Sequence, residues 1–143
     1  MNEVAPIASI SQLKAAMDEG IANGELHAVE APLEHYQAGD LYGRRIYVPA
    51  GTTIVTKVHK TQHLTVALKG HCTVFNESGD KFDVIAPQVF VTEPGTLRAI
   101  YAHTEVEWFT AHICPVVEPE EREKFLACDS IEEYNALQLE NKS

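Results

Sequence analysis

From about Leu41 to Ile113 the chain runs in short stretches rich in Val, Ile, Thr, Tyr and Phe, with apolar and polar positions alternating and glycine or proline breaking each run. Such alternation places successive side chains on opposite faces of a strand, and β-branched and aromatic residues suit a pleated, half-buried surface. It predicts strands at RRIYVPA (44–50), TIVTKVH (53–59), HLTVALKG (63–70), HCTVFN (71–76), KFDVIA (81–86), VFVTE (89–93), LRAIYAH (97–103) and VEWFTAHIC (106–114), with turns such as ESGD (77–80) and EPGT (93–96) between them. Evenly spaced short strands predict a mainly β fold, a sandwich or small barrel. The flanks follow a different period. Ile10, Leu13, Met17 and Ile21 recur at helical spacing after a capping pair, Ser9 and Gln12, and Gly20 or Gly24 can stop the element, which predicts a helix over about 9–22. Beyond Pro119, three acidic residues sit where a helix dipole favours them, and Ser130 with Glu133 three residues later gives a second start. Short helices over about 119–140 are therefore expected.

A chain of 143 residues suits one domain, 1–143, with its core in the strand region of about 41–113. The formal charge of −10, from 11 basic and 21 acidic residues, leaves no basic stripe for phosphates and speaks against a nucleic-acid partner. No apolar run approaches the roughly 20 residues of a spanning helix, and the start MNEVAPIAS lacks a basic region followed by an apolar one, so no membrane association and a cytoplasmic location are expected. Cys72, Cys114 and Cys128 are odd in number and widely spaced, which predicts buried free thiols rather than disulfides or a thiolate metal site. The absence of a nucleophile-elbow or phosphate-loop pattern speaks against acyl and phosphoryl transfer.

Candidate chemistry gathers in VHKTQHLTVALKGH, which holds three of the seven histidines. His59 and His63 would share a face of a helix, but the flanks TTIVT and LTVAL are β-branched and alternating. On one straight strand they would lie roughly 13 Å apart, too far for a common metal with nitrogens about 2 Å away. They can cooperate only if Lys60, Thr61 and Gln62 turn the chain between two strands. His71 follows Gly70 in an expected turn, and it, His27 and His35 read as solvated.

The same segment resembles the first motif of the cupins, G-x5-H-x-H-x3or4-E-x6-G. Gly51 opens it, Lys57 stands for the first histidine, His59 matches the second, His63 takes the glutamate position and Gly70 closes it. The second motif, G-x5-P-x-G-x2-H-x3-N, resembles PQVFVTEPGTLRAIYA, where Gly95 matches the glycine, Glu93 holds the proline position, Arg98 replaces the histidine and Ala102 the asparagine. The resemblance implies a cupin-type β-sandwich barrel with short N- and C-terminal helices, and one divalent ion, zinc, iron, nickel or manganese, on an incomplete ligand set. His59 and His63 are its candidate ligands, with His103 or His112 as a third. Lys57, Arg98 and Tyr101 are candidate ligand-binding residues, and two cations facing inward would need an anionic partner, either a carboxylate such as Glu93 or a bound molecule. The alternative leaves them in water at the barrel mouth. The expected function is the binding of a small, anionic molecule in the barrel. The alternatives are a metal-dependent cupin enzyme of dioxygenase, isomerase or lyase type acting on a small carboxylate, and a non-catalytic structural cupin. A homodimer is expected through outward faces of RRIYV and VFVTE, as the side-by-side dimers of the family imply.

Overall fold

In a computed structural model of the chain, residues 10–142 are described. Helix α1 (Ile10–Ala22) is followed by strands β1 (Leu33–Ala38), β2 (Leu41–Val48), β3 (Thr53–Val55), β4 (Val58–His59), β5 (His63–Lys69), β6 (His71–Asn76), β7 (Lys81–Ile85), β8 (Gln88–Thr92), β9 (Arg98–Ala102) and β10 (Val106–Ile113). Helix α2 (Pro119–Leu126), strand β11 (Ala127–Cys128) and helix α3 (Ile131–Lys142) complete the chain. The strands pair antiparallel in a five-stranded sheet, β1-β2-β10-β5-β8, a four-stranded sheet, β3-β9-β6-β7, and a two-stranded ladder, β11-β4.

Alternation decides how the two large sheets meet. Val48, Ala67, Val106 and Trp108 of the first sheet pack against Cys72, Val74, Val84, Ile100 and Ala102 of the second, all buried. Burying each large side chain there is worth ~1.5–3 kcal/mol, which makes this shared layer the main adhesive of the sandwich. Trp108 meets Phe90 edge to face at 5.6 Å. Gly70 joins β5 to β6 at φ +92°, and a Cβ there would run into the Glu105 carbonyl oxygen, so only glycine fits this crossing between sheets.

The flanking helices cover one end. Ile10 of α1 packs with Val58, Leu97, Ala99 and Cys128, and Leu13, Ile131, Tyr134 and Leu137 add to the cluster. The start of α3 is capped as its sequence predicts: Ser130 Oγ accepts the Glu133 N–H at 3.0 Å, and the Glu133 carboxylate accepts the Asp129 N–H at 3.0 Å. Ser9, the expected cap of α1, lies outside the described residues. Cys72, Cys114 and Cys128 are buried free thiols; burial, then the Asp83 charge, push Cys72 up to about 11. No helix among the described residues is long and apolar enough to cross a membrane.

Four elements differ from the expected pattern. β1 is an additional strand, turned into β2 at Gly39 (φ +61°). TIVTKVH is not one strand: the ladder between β3 and β9 ends at Val55, Thr56 donates its N–H to Arg98, and the chain restarts as β4 against β11. β11 in turn interrupts the expected C-terminal helical stretch. His71 begins β6 rather than standing in a turn, and it is half-buried.

Candidate functional site

Lys60, Thr61 and Gln62 do turn the chain, and they bring His59 at the end of β4 to His63 at the start of β5 with ring centroids 4.7 Å apart. The two strands are not a hydrogen-bonded pair, since β4 pairs with β11 and β5 with β10 and β8. The EPGT turn fixes His59 instead: Gly95 N–H donates to the His59 carbonyl at 2.7 Å, and His59 N–H donates to the Thr96 carbonyl at 3.0 Å. The two cupin-like segments thus meet at one backbone.

The structure adds His112 to this pair. β10 lies beside β5, Trp108, Thr110 and His112 share its inward face, and the His112 ring stands 4.2 Å from His63. His63 Nδ1 lies 3.0 Å from the Thr61 carbonyl oxygen, which can only accept, so Nδ1 carries the proton and Nε2 keeps its lone pair. That Nε2 and His112 Nδ1 are buried with no hydrogen-bond partner, while His112 Nε2 is 2.8 Å from Thr110 Oγ1. Burial pushes His59 down to about 3, helped by the charges of His63, Arg98 and Arg44. His112 is also pushed down to about 3, by burial first and then by His63, Arg44 and His59. Burial lowers His63 as well, and its contact with Thr61 opposes the shift. The row is therefore neutral at physiological pH.

His59 and His63 line a cavity of about 260 Å³ with walls of Ile46, Val48, Ile54, Ile100, Val106 and Trp108. Arg98 reaches it from β9 at the position its motif implies, 5.3 Å above the Phe90 ring. Burial lowers its pKa, yet no carboxylate among the described residues lies within ion-pair distance of it. Glu93, the acid considered as its partner, takes the Gln62 amide at 3.0 Å. Lys57 sits at the cavity mouth with its side chain 52% exposed, 3.7 Å from Glu123 and 3.6 Å from Asp129. Glu123 is shared with Arg44 at 3.5 Å. Three cations, Arg44, Lys57 and Arg98, thus line the cavity against one lining carboxylate, Glu123, in a chain of net charge −10.

Tyr101 and His103 do not join the cavity. β9 keeps unbroken register against β6, so alternation sends Arg98 and Ile100 inward and Tyr101 and His103 outward, and no bulge reverses it. His103 instead meets His71 at 4.5 Å and Tyr101 at 4.9 Å between ring centroids. Thr73 Oγ1 lies 2.7 Å from both Asp83 Oδ1 and His103 Nε2. His71, Asp83 and His103 form a triad whose ligand atoms all lie within 4.8 Å of one another, a spacing that suits a metal ion. The sequence carried only the outward parity of these positions.

The barrel interior fits a metal less well. Its two orphaned imidazole nitrogens are suitable donors, but among the described residues the nitrogens of His59, His63 and His112 do not converge to the spacing of the outer triad. They form a row in which His63 stands between the other two, and cations, Lys57 and Arg98, occupy the two remaining ligand positions of the motifs. A three-ligand ion on this row would need the imidazoles to draw closer together.

No protein-family model matches the chain, and no curated protein sequence matches it. Solved structures do. The salicylate 1,2-dioxygenase of Pseudoaminobacter salicylatoxidans, in adducts with gentisate, is similar over 78% of this chain and 34% of its own, at TM-score 0.54 and 17% identity. The chain therefore spans about a third of that enzyme's length. The plu4264 protein of Photorhabdus luminescens is similar over 60% of this chain and 77% of its own, at TM-score 0.52 and 11% identity. A cupin superfamily protein of Desulfitobacterium hafniense is similar over 80% of this chain and 93% of its own, at TM-score 0.49 and 13% identity. With two facing antiparallel sheets and both motif segments meeting at His59, the chain has the cupin fold.

Proposed function

We propose that the protein binds a small anionic molecule, a carboxylate by preference, inside its barrel, with Arg98 as the anchor. One observation carries the reading: Arg98 is a half-buried guanidinium lining the cavity, its pKa lowered by burial, with no carboxylate partner among the described residues. A buried unpaired charge is expensive, and a planar guanidinium matches a carboxylate bidentately. The neutral imidazoles of His59 and His63 add hydrogen-bonding groups without adding charge, and the apolar walls suit a ligand with a hydrocarbon or aromatic body. The dioxygenase neighbour's adducts with gentisate support a ligand of this class.

Arg98→Met tests the reading because it keeps the stem and removes the charge. Without ligand, the variant melts at a higher temperature than wild type, since the uncompensated cation is gone. Benzoate, gentisate and citrate are the probes. A carboxylate that binds, at about 100 times its Kd, stabilises wild type by ~2.7 kcal/mol, a rise of several degrees, and this response falls at least tenfold in the variant. A lower melting temperature in Arg98→Met with the carboxylate response intact, or no response of wild type to any of the three at millimolar concentration, refutes it.

We also infer that two chains pair through the outer face of the five-stranded sheet. Leu64, Leu68, Val89, Val91 and Ile113 are exposed there, and β8 is an open edge. Within RRIYV the outward positions are Arg45 and Tyr47, with Arg45 bound to Glu107 at 2.8 Å, so most of the apolar area comes from β5, β8 and β10, joined by Leu41 at the start of β2 beside Ile113. Sedimentation of a species near 15.8 kDa at micromolar concentration overturns the pairing.

A further inference from the structure

We propose that the outer face of the four-stranded sheet carries a site for one divalent transition-metal ion, held by His71, Asp83 and His103. The site is separate from the barrel cavity, for the inward neighbours of these residues on the same strands, Cys72, Val84 and Ala102, are buried in the core between the sheets.

Strand register assembles it. Thr73 stands opposite Asp83 on β7 and opposite Tyr101 on β9. His71 lies two residues before Thr73 and His103 two after Tyr101, and because the strands run antiparallel these two steps end side by side. His103 N–H donates to the His71 carbonyl at 2.9 Å, which locks the pair in place.

The side chains then leave a gap of the right size. His71 Nε2 is 3.6 Å from Asp83 Oδ1, too long for a hydrogen bond, and this nitrogen is buried with no hydrogen-bond partner. Two ligands each about 2.0–2.1 Å from a tetrahedral ion stand about 3.4 Å apart, so the His71–Asp83 separation is that of ligands sharing an ion. Thr73 sets the other two. Its single hydroxyl proton goes to the Asp83 carboxylate at 2.7 Å, and its oxygen accepts from His103 Nε2 at 2.7 Å, so the ring nitrogen His103 would offer an ion is Nδ1. Thr73 is in this sense a positioning residue.

Donor chemistry selects the ion. Two imidazoles and one carboxylate suit zinc, nickel, cobalt or copper, whereas calcium and magnesium require a shell of oxygens. Three protein ligands on an open sheet face leave a coordination position to water or to a group from another molecule.

The test uses full-length untagged protein titrated calorimetrically with zinc and with nickel. One ion per chain is expected. His71→Ala, His103→Ala and Asp83→Asn each weaken binding by about 100-fold or more, since loss of a supporting contact to a metal ligand alone costs 10–100-fold. These positions are wholly or partly exposed, and thermal unfolding checks that each variant is folded. His63→Ala, which removes the central imidazole of the inner row, leaves zinc affinity within about twofold. Cobalt in NMR experiments broadens the His71 and His103 ring signals and spares those of His59 and His112. Affinity unchanged in His103→Ala, affinity lost in His63→Ala, or no saturable zinc binding at micromolar concentration overturns the proposal.

Discussion

Acidification from about pH 7 to about pH 5 should destabilise this protein before its carboxylates begin to titrate. His59 and His112 are 9% and 1% exposed, and each is held neutral with a pKa near about 3. In the unfolded chain the same imidazoles return to about 6.5, so between these limits the unfolded state binds more protons. Stability is then complete above about pH 7, falls as pH drops through the unfolded value, and goes on falling towards the folded value. At about pH 5 each imidazole is displaced by about 1.5 units at ~1.4 kcal/mol per unit, roughly 2 kcal/mol each and ~4 kcal/mol for the pair. That is a large share of the 5–15 kcal/mol typical of a domain. With a urea slope of about 1–3 kcal/mol per molar, the unfolding midpoint should fall by about 2 M.

Two features keep the window clean. Glu34 and Asp83 are held below their ordinary values, by the Tyr36 and Thr73 hydrogen bonds respectively, so their contributions are lost only below about 4.5 and 3.8. The groups facing the row are chiefly Arg98 and Arg44, which stay cationic and oppose its protonation, while Glu123 on the cavity rim is shared with Lys57. Urea unfolding at several pH values measures the slope, and NMR titration of the histidine ring signals reads the sites directly. The double variant His59→Gln, His112→Gln should lose most of the slope whatever its stability at neutral pH. Ring signals of either residue titrating near 6.5 would refute the reasoning, because burial would then not be holding them neutral.

Other outcomes follow from single positions. Gly70→Ala forces a Cβ onto the Glu105 carbonyl at a positive φ and should cost roughly 3 kcal/mol, read as a lowered urea midpoint; a change within error would show that the crossing between sheets relaxes. Trp108→Ala opens a void beside Phe90 and should cost about 3–5 kcal/mol while far-UV circular dichroism keeps its strand signal. Thiol reagent at about pH 8 should label none of Cys72, Cys114 and Cys128 in the folded protein and all three in urea, because all are buried and Cys72 ionises only near about 11. Prompt labelling of one thiol without denaturant contradicts that burial.

How much of this was legible in the sequence depended on whether the signal was local. Alternation found β5 to β10 because one face of each meets a core, so the period of two is written into residue choice. β1 shows no such period: all six of its residues are exposed, and only the turn at Gly39 betrays it. β4 and β11 are two residues each, stabilised by one another across a long separation in the chain, and no local propensity can record that. The same distinction divides the candidate sites. Arg98 and the turn at Lys60–Gln62 were readable because motif spacing fixes their place along the chain. His112 was legible as one of two candidates to join His59 and His63; that it, and not His103, stands beside His63 depends on β10 neighbouring β5, a pairing the sequence does not print. The outer triad lies further still from local reach. Parity alone puts His71, Asp83 and His103 on outward faces, and the same parity excludes His103 from the barrel. What converts three outward residues into a cluster is a register shared by β7, β6 and β9, set by the inward contacts of Cys72, Val84 and Ala102 with the core. The packing that joins the two sheets thus also aligns the ligands on the outer surface, so a one-residue slip of β7 would damage the core and scatter the triad together.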